Sequence, residues 1–180
     1  GVEALNGSGW APAAVSVDKV QAQGLEAMPD GGAHSVTVPG AVRAWQALLE
    51  RHGRKSLGEL LRPAIRYARD GFPVHPRVAC DWARATSRLE RSPAGKAYYL
   101  PSGRAPHSGE TISLEALAVT LETVAQRGAD AFYDGPLAAA MVARLQRFGG
   151  LHQAADFADF RPEWVDPISA TYRQLRVFEC

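Results

Sequence analysis

The sequence has few cysteines, few lysines and no long apolar run. Its only cysteines, Cys80 and Cys180, are 2 of 180 residues and fit no metal-ligand or redox spacing. Cys80 falls within a helical pattern and is predicted to be a small buried apolar residue, whereas Cys180 is predicted to be an exposed thiol. No apolar run approaches the roughly 18 residues that a membrane-spanning helix needs, so no membrane partner is predicted.

Charges of the two signs are balanced along the chain. The 20 Lys and Arg residues stand against 19 Asp and Glu, which leaves a formal net charge of +1. A nucleic-acid surface needs a concentrated basic face, so the composition excludes a nucleic-acid partner. The apolar content of 46% and charged content of 22% suit one compact domain over residues 1–180. The residues after Gly1 show no signal-peptide pattern, and the sequence indicates no particular compartment.

Candidate catalytic and metal-binding residues are sparse. Ser8 lies in Asn6-Gly7-Ser8-Gly9, which lacks the first glycine of a nucleophile elbow and follows no hydrophobic strand, so we interpret it as a loop. Gly7-Ser8-Gly9 could also bind an anion, but the helix and lysine that usually follow a glycine-rich anion-binding motif are absent here. The sequence predicts no cofactor and no metal, although a site assembled from distant histidines stays open. No two histidines share a helical spacing: they are His34, His52, His75, His107 and His152.

Two further groups of residues allow a functional or a structural interpretation. The densest acidic cluster allows three interpretations: a cation site, paired general acids or a solvated helix terminus. Its spacing lacks the pattern of a calcium loop. We favour the solvated terminus for these four acids: Asp156, Asp159, Glu163 and Asp166. The tryptophans sit singly in apolar patterns, which indicates core or interface anchors rather than base-stacking residues. They are Trp10, Trp45, Trp82 and Trp164.

The periodicity of apolar residues predicts a mainly helical fold with a few short strands. Ser16 is predicted to cap a short helix over residues 17–23, and Ser56 with Glu59 forms a capping box. Pro63 then bends or restarts that helix. Residues 92–112 are predicted to be an irregular loop. The longer helices are expected at 41–52, 63–71, 77–91, 114–126 and 136–148, one helical turn at 156–160, and strands at 168–173 and 175–179.

One junction carries more functional information than any other stretch. Residues 36–38 favour an extended strand, Pro39-Gly40 ends it, and a helix begins with Val42, Trp45 and Leu48 on one face. Together with residues 60–74, Leu-Leu-Arg-Pro-Ala-Ile-Arg-Tyr-Ala-Arg-Asp-Gly-Phe-Pro-Val, this junction resembles the large-subunit region of the γ-glutamyltransferase family, closest to its bacterial γ-glutamyltransferase-like branch.

Further motifs carry the same resemblance across nearly all of the chain. Residues 5–12 resemble the family's Asn-Gly segment ahead of Ala-Pro, and residues 132–138 resemble its Phe-Tyr-x-Gly helix entry. Gly149-Gly150 followed by residues 156–160 resembles its Gly-Gly turn before an acidic-aromatic helix. Tyr172-Arg173 resembles the strand that returns towards the core of the large subunit.

The resemblance implies a self-processing amidohydrolase of the N-terminal-nucleophile class, an αββα sandwich in the full-length protein. The freed threonine hydroxyl attacks a γ-glutamyl amide of a glutathione-type substrate, and its own α-amine acts as the base. Water or an amino acid then resolves the acyl-enzyme. The threonine-rich motif lies downstream of this region in the family, so no catalytic position is carried onto this sequence. The small subunit of the same precursor is the implied partner.

Two alternatives remain open, one in the substrate of the enzyme and one in the class of protein. The resemblance also admits an acylase of the cephalosporin type, whose acyl group is glutaryl, and a free-standing helical interaction module would need no active site. We expect the chain to be a middle portion of a large subunit, truncated at both ends and inactive alone. An uncovered apolar strand at residues 175–179 would then favour a homodimer of the isolated chain.

Overall fold

The computed structural model describes residues 1–180, about half of which are helical, and this confirms a mainly helical chain with few short strands. None of the helices has the length and apolar character that a membrane crossing requires. The helices are α1 (Val17–Ala22), α2 (Ala41–His52), α3 (Leu57–Asp70), α4 (Pro76–Glu90), α5 (Pro93–Tyr99), α6 (Glu115–Arg127), α7 (Asp130–Tyr133), α8 (Pro136–Arg147) and α9 (Ala154–Ala158), with a 3-10 turn at Ala33–Ser35.

Six short strands pair into three separate two-stranded antiparallel sheets. In the first sheet Leu5 pairs with Trp164, in the second Phe72 pairs with Ile112, and in the third Ala170 pairs with Val177. No sheet contains a third strand, so each strand keeps one open edge. The strands are β1 (Ala4–Asn6), β2 (Phe72–Pro73), β3 (Thr111–Ile112), β4 (Glu163–Val165), β5 (Ile168–Tyr172) and β6 (Leu175–Glu179).

The chain folds into two compact units. The first combines Gly1–Glu59 with Thr123–Cys180, and the second is the continuous segment Leu60–Glu122. The first unit is built on a buried cluster of aromatic and aliphatic side chains that includes Val38, Val42, Tyr133, Ala138, Val142, Phe157 and Phe160. The core of the second unit is smaller and consists of Leu61, Ala68, Val74, Leu100, Ile112 and Ala118.

Local sequence signals place several helices as predicted. Helix α2 has the predicted bounds, and α4, α6 and α8 each begin and end within one residue of the prediction. The hydroxyl of Ser16 accepts a hydrogen bond from the Lys19 amide, which confirms it as the cap of α1. The capping box is also confirmed, because Ser56 Oγ accepts from the Glu59 amide and the Glu59 carboxylate accepts from the Ser56 amide.

The predicted strand at residues 36–38 is wrong, and so is the predicted restart of a helix at Pro63. Residues 36–38 form no strand, because their amides bond outside any ladder: that of Val36 to the Ala33 carbonyl at 3.3 Å and that of Val38 to the Trp10 carbonyl at 3.0 Å. An extended segment without a neighbouring strand builds no ladder. Helix α3 does not restart at Pro63 but runs through it from Leu57 to Asp70. The missing proline N–H removes one internal bond, and the capping box and the burial of Leu61 and Ala68 hold the rest of the helix.

Residues 92–112 are more regular than predicted. Ser92 Oγ accepts from the Gly95 amide and starts α5, while Thr111–Ile112 pairs with β2. Between these elements the Glu110 carboxylate accepts from the His107 amide at 2.9 Å and from Arg104 at 3.0 Å. The hydrogen bond from the His107 backbone, and then that from Arg104, lower the pKa of Glu110 below its ordinary value.

Cys80 does not have the predicted buried position, whereas Cys180 is exposed as predicted. Cys80 lies on α4, a helix in which no residue is buried. The helical pattern was identified correctly, but the face of the helix that carries Cys80 points to solvent. A helical period alone does not say which of two half-apolar faces is covered.

Candidate functional site

Four of the motifs that carry the resemblance meet in the first unit, whereas residues 60–74 belong to the second. The Asn6–Trp10 loop, the Pro39-Gly40 junction, Tyr133 and Phe160 are distant in sequence and contact one another. The Trp10 ring meets the Phe160 ring edge-on at 5.4 Å between centroids, and the Tyr133 ring stacks on Phe160 at 5.9 Å. We call this group of residues the junction cluster.

Tyr133 ties the junction to the start of α2. Its side chain is fully buried, its hydroxyl donates to the Pro39 carbonyl at 2.6 Å, and the same oxygen accepts from the Arg43 amide at 3.1 Å. The N-cap residue of α2 is Gly40, which has no side chain to satisfy the first amides of the helix. A tyrosine 90 positions further along the chain therefore accepts the hydrogen bond that a capping side chain would otherwise accept.

Arg43 covers one face of that tyrosine ring. Its guanidinium lies 4.7 Å from the centre of the Tyr133 ring and forms an ion pair with Asp130. Burial raises the pKa of the Tyr133 hydroxyl above its ordinary value, and this outweighs the opposing effect of the hydrogen bond and charge of Arg43. The hydroxyl is therefore kept protonated as a donor to Pro39.

Three glycines allow the Asn6–Trp10 loop to lie against the junction. A Cβ on Gly9 would overlap the Val38 carbonyl oxygen, and a Cβ on Gly40 would overlap the Gly7 carbonyl oxygen. A Cβ on Gly7 would lie 2.7 Å from the Ala44 methyl. The glycines serve close packing, and the Ser8 amide donates to Asn6 Oδ1 at 3.0 Å. This geometry agrees with the loop interpretation of Ser8.

Asp156 differs from the solvated acid that the sequence predicts. Its side chain is buried, and its two carboxylate oxygens accept from the Ala13 amide at 2.9 Å and the Gln153 amide at 2.7 Å. The Asp156 carbonyl accepts from the Trp10 indole at 2.9 Å. Asp156 therefore joins the start of α9 to the residues after the Asn-Gly loop. The other three acids of the predicted cluster, Asp159, Glu163 and Asp166, are exposed.

The histidines are dispersed and have separate structural contacts. His152 is buried, with Nε2 2.8 Å from the Val36 carbonyl, and His75 Nδ1 accepts from the Arg77 amide at the start of α4. His52 lies 3.0 Å from the Glu3 carboxylate. His34 lies in the 3-10 turn and His107 in the loop held by Glu110. No group of three or more His, Cys, Asp and Glu side chains is arranged to hold a metal ion.

The tryptophans lie at the margins of the core rather than inside it. Trp10, Trp45 and Trp164 are about 40% exposed, which corrects the core part of the prediction. Trp164 is covered by the Arg51 guanidinium at 4.1 Å from its ring centre, and the Trp82 indole donates to the Tyr99 carbonyl at 3.0 Å. These contacts use the polar and aromatic properties of the rings together.

The junction cluster positions backbone segments and contains no nucleophile hydrogen-bonded to a base. Sequence reasoning missed the contacts of Tyr133 and Arg43 and assigned Asp156 to a solvated terminus, because their partners lie 87 to 143 residues away and leave no spacing pattern. One signal was available. A helix of 12 residues that begins at Gly40 without a capping side chain needs a partner from elsewhere in the fold.

We expect Tyr133→Phe to lower the free energy of unfolding by about 2 kcal/mol near neutral pH, because the Pro39 carbonyl and the Arg43 amide lose their partner. The pKa of Tyr133 is raised in the folded chain, so its stabilising effect is complete below the ordinary pKa of about 10 and is lost as the pH rises through the higher folded value. Raising the pH from neutral to above 10 should therefore destabilise the variant less than it destabilises the native chain.

Urea unfolding at a series of pH values measures both effects. Tyr172→Phe is the matched control, since Tyr172 is 64% exposed and its replacement should change stability by less than about 0.5 kcal/mol. Equal alkaline slopes for Tyr133→Phe and the native chain would contradict the role assigned to the buried hydroxyl.

Comparisons of sequence connect this architecture to known proteins. The family model described as gamma-glutamyltranspeptidase matches residues 1–180. The chain is 37% identical over 183 aligned positions to the glutathione hydrolase-like YwrD proenzyme of Bacillus subtilis, covering 99% of this chain and 34% of that protein. It is 37% identical to the acylase ACY 1 proenzyme of Pseudomonas sp. strain SE83, covering 81% of this chain and 26% of that protein.

Comparisons of structure agree with those of sequence. The cephalosporin acylase from Bacillus halodurans superposes with a TM-score of 0.91 at 39% identity, covering 99% of this chain and 34% of that one. The gamma-glutamyltranspeptidase of Helicobacter pylori superposes with a TM-score of 0.89 at 26% identity, covering 98% of this chain and 52% of that one. The chain thus spans about a third or less of the length of these curated relatives. Because the family model matches the whole of it, this chain belongs to the gamma-glutamyltranspeptidase family.

Proposed function

We propose that residues 1–180 are a portion of the large subunit of a γ-glutamyltransferase-like amidohydrolase, which hydrolyses or transfers the γ-glutamyl group of glutathione-type substrates. The observation that carries this proposal is the family match over all 180 residues. The convergence of four of the resembling motifs in one junction cluster supports it. The names of the B. subtilis and Escherichia coli relatives, glutathione hydrolase-like and glutathione hydrolase proenzyme, support the same substrate class.

In this proposal the reacting groups lie outside the 180 residues. The hydroxyl of an N-terminal threonine, freed by self-cleavage of the precursor, adds to the γ-carbonyl carbon while its own α-amine takes the proton. The amide C–N bond then breaks, the amine leaves with a proton, and an ester to threonine remains. Water releases glutamate, or an amino acid takes the γ-glutamyl group. The small subunit of the same precursor supplies the threonine.

A second substrate class is favoured by specific observations. One of the structures most similar to this chain is a cephalosporin acylase, and an acylase proenzyme aligns over 81% of it. A glutaryl group has the same chain length as a γ-glutamyl group but lacks its α-amine. The same threonine chemistry on a glutaryl amide is therefore the alternative to γ-glutamyl transfer. Both proposals place the active site outside this chain and predict a homodimer only for the isolated chain.

The proposal is tested by returning this region to a whole enzyme. We expect the purified chain alone to give no hydrolysis of γ-glutamyl or glutaryl p-nitroanilide above background, because it lacks the nucleophile and its oxyanion donors. A chimera in which these 180 residues replace the aligned region of the B. subtilis proenzyme should cleave itself into two subunits. The ratio of its rates on the two anilides distinguishes the two acyl groups.

The matched control is the same chimera with Gly9→Ala, in which the Asn6–Trp10 loop cannot lie against Val38. It should remain an uncleaved precursor. Turnover by the isolated chain that increases with protein and persists after repurification would contradict the proposal. A folded chimera that never cleaves itself would favour the non-catalytic helical module.

A further inference from the structure

Asn6 is the only asparagine of the chain, and Gly7 follows it directly. The peptide nitrogen of Gly7 can attack Cγ of the Asn6 carboxamide and close a five-membered succinimide ring. Glycine favours this reaction because it has no side chain to hinder the approach of its nitrogen. The chain therefore carries a single asparagine-glycine pair that is prone to spontaneous deamidation, the reaction that replaces a side-chain amide with an acid.

The folded backbone holds Asn6 in a conformation that does not close this ring. Asn6 is the last residue of β1 and pairs with Glu163 of β4, so its backbone is extended. In an extended residue the side chain and the following peptide nitrogen point away from each other across the Cα–C bond. Ring closure needs a large rotation about that bond, and this rotation would move Gly7 from its place.

Gly7 is tightly packed in that place. A Cβ on Gly7 would lie 2.7 Å from the Ala44 methyl group, and a Cβ on Gly40 would lie 2.1 Å from the Gly7 carbonyl oxygen. Both distances are shorter than real contacts of a Cβ, so the backbones meet with no space between them. The rotation at Asn6 therefore requires that the Asn6–Trp10 loop first leave the junction cluster.

Two hydrogen bonds of Trp10 oppose that departure. Its carbonyl accepts from the Val38 amide at 3.0 Å, and its indole donates to the Asp156 carbonyl at 2.9 Å. Folded proteins nevertheless open locally, with a free energy set by the contacts that must break. We propose that Asn6-Gly7 is a site of spontaneous deamidation that the closed junction cluster protects, so that the reaction modifies chains whose loop has opened.

The reaction needs only water and a base in addition to the chain. The Gly7 nitrogen gives its proton to the base and forms a bond to Asn6 Cγ, while negative charge develops on Asn6 Oδ1. The Ser8 amide donates to Oδ1 at 3.0 Å in the folded chain. This contact spans only two residues, so it is available after the loop has opened and stabilises the developing charge.

The intermediate then loses ammonia and takes up water. The bond from Cγ to Nδ2 breaks, and the nitrogen leaves as ammonia after it has taken a proton from the protonated base. Water opens the succinimide at Cγ to give aspartate, or at the main-chain carbonyl carbon to give isoaspartate. The net change at residue 6 is the addition of one water molecule and the loss of one ammonia molecule.

Neither product fits the closed cluster as asparagine does. Isoaspartate adds a methylene group to the main chain before Gly7, and the packing against Ala44 and Gly40 leaves no room for the displacement. Aspartate keeps the length of the backbone but places its carboxylate opposite that of Glu163, and like charges in that position destabilise paired strands. The modification therefore hinders the return of the loop to the cluster.

Peptide mass spectrometry of the incubated chain tests the proposal, because it follows the conversion of residue 6 alone. At mildly alkaline pH we expect the folded chain to react at least about tenfold more slowly than the same chain in guanidinium chloride, since only its open fraction reacts. Asn6→Gln is the negative control in both solutions. Its ring would need six members, so it should release less ammonia than the native chain.

Gly9→Ala tests the part of the junction cluster in this protection. Its methyl group would overlap the Val38 carbonyl oxygen, so the loop cannot close, and deamidation under folding conditions should be at least about tenfold faster than in the native chain. Ser8→Ala is the matched control, because it keeps the amide that donates to Asn6 and should leave the rate unchanged. The comparison of folded and denatured native chain needs no variant, so it decides the proposal even if Gly9→Ala does not fold.

Four results would overturn the proposal. A folded chain that reacts as fast as the denatured one would show that the cluster gives no protection. A denatured chain in which residue 6 stays asparagine would show that the pair is not labile. Equal rates in Gly9→Ala and Ser8→Ala would separate the reaction from the loop. Finally, hydrogen exchange at the Val38 amide should be faster in the purified isoaspartate form, and an unchanged rate would show that the modified loop returns to the cluster.

Discussion

Gly9→Ala is expected to lower the free energy of unfolding by about 3 kcal/mol or more, because its methyl group would overlap the Val38 carbonyl oxygen. The atom that must move is backbone, and that backbone is held by the hydrogen bond from the Val38 amide to the Trp10 carbonyl. Neither side can yield without breaking this bond or moving α2. Urea denaturation followed by tryptophan fluorescence measures the loss.

Ser8→Ala, one residue away, is the control for this prediction. Ser8 is exposed, and its contact with Asn6 uses the backbone amide, which alanine retains. Its effect should stay within about 0.5 kcal/mol. A Gly9→Ala chain as stable as the Ser8→Ala chain would show that the Asn6–Trp10 loop is not packed against the junction as described.

Asp156→Ala should destabilise the chain by a comparable amount, about 3 kcal/mol. The buried carboxylate accepts from two part-buried backbone amides, those of Ala13 and Gln153, and its removal takes the side-chain acceptor away from both. The loss would separate the start of α9 from the residues that follow the Asn-Gly loop. Hydrogen exchange at the Ala13 amide should accelerate in the variant.

Asp159→Ala is the matched control, because this acid lies three positions further along and is exposed. Asp156→Asn refines the test. The amide keeps one acceptor oxygen, but its NH2 group faces the second backbone donor, so this variant should lose nearly as much stability as alanine. Full stability in Asp156→Asn would mean that one of the two hydrogen bonds contributes little.

The parts of the fold that sequence predicts are those that local interactions determine. Helix α2 follows from the spacing of its apolar residues and the glycines at both ends, and the start of α3 follows from the reciprocal bonds of Ser56 and Glu59. These interactions span at most a few residues, so their pattern is visible in the chain.

The errors arise where a distant segment decides the outcome. Residues 36–38 have high strand propensity, but no neighbouring strand lies beside them in the fold. Asp156 has the appearance of a helix-terminal acid exposed to water, and it is buried because the Ala13 amide, 143 residues away, needs an acceptor. Cys80 lies on a correctly predicted helix whose covered face could not be identified from α4 alone.

The candidate site likewise combines features that the sequence predicts with contacts that it does not. The resemblance identified the glycine-rich and aromatic motifs, and the structure shows that they contact one another in the junction cluster. The capping of α2 by Tyr133 and the stacking of Arg43 on that ring were outside the reach of periodicity and spacing. Their positions depend on how segments 90 residues apart fold together.

The division of the first unit into two segments has a consequence for protein synthesis. Gly58 and Ala125 lie side by side, since a Cβ on Gly58 would be 2.6 Å from the Ala125 carbonyl oxygen, so the polypeptide leaves and re-enters this unit at one place. A ribosome that adds about 5–20 residues per second needs roughly 5 to 20 seconds to proceed from Glu59 to Phe160. Until Asp156 and Phe160 have been synthesised, the nascent Asn6–Trp10 loop lacks the contacts that Trp10 makes with both residues. The contiguous second unit, Leu60–Glu122, is complete in the meantime, so it can fold before the first unit has all of its residues.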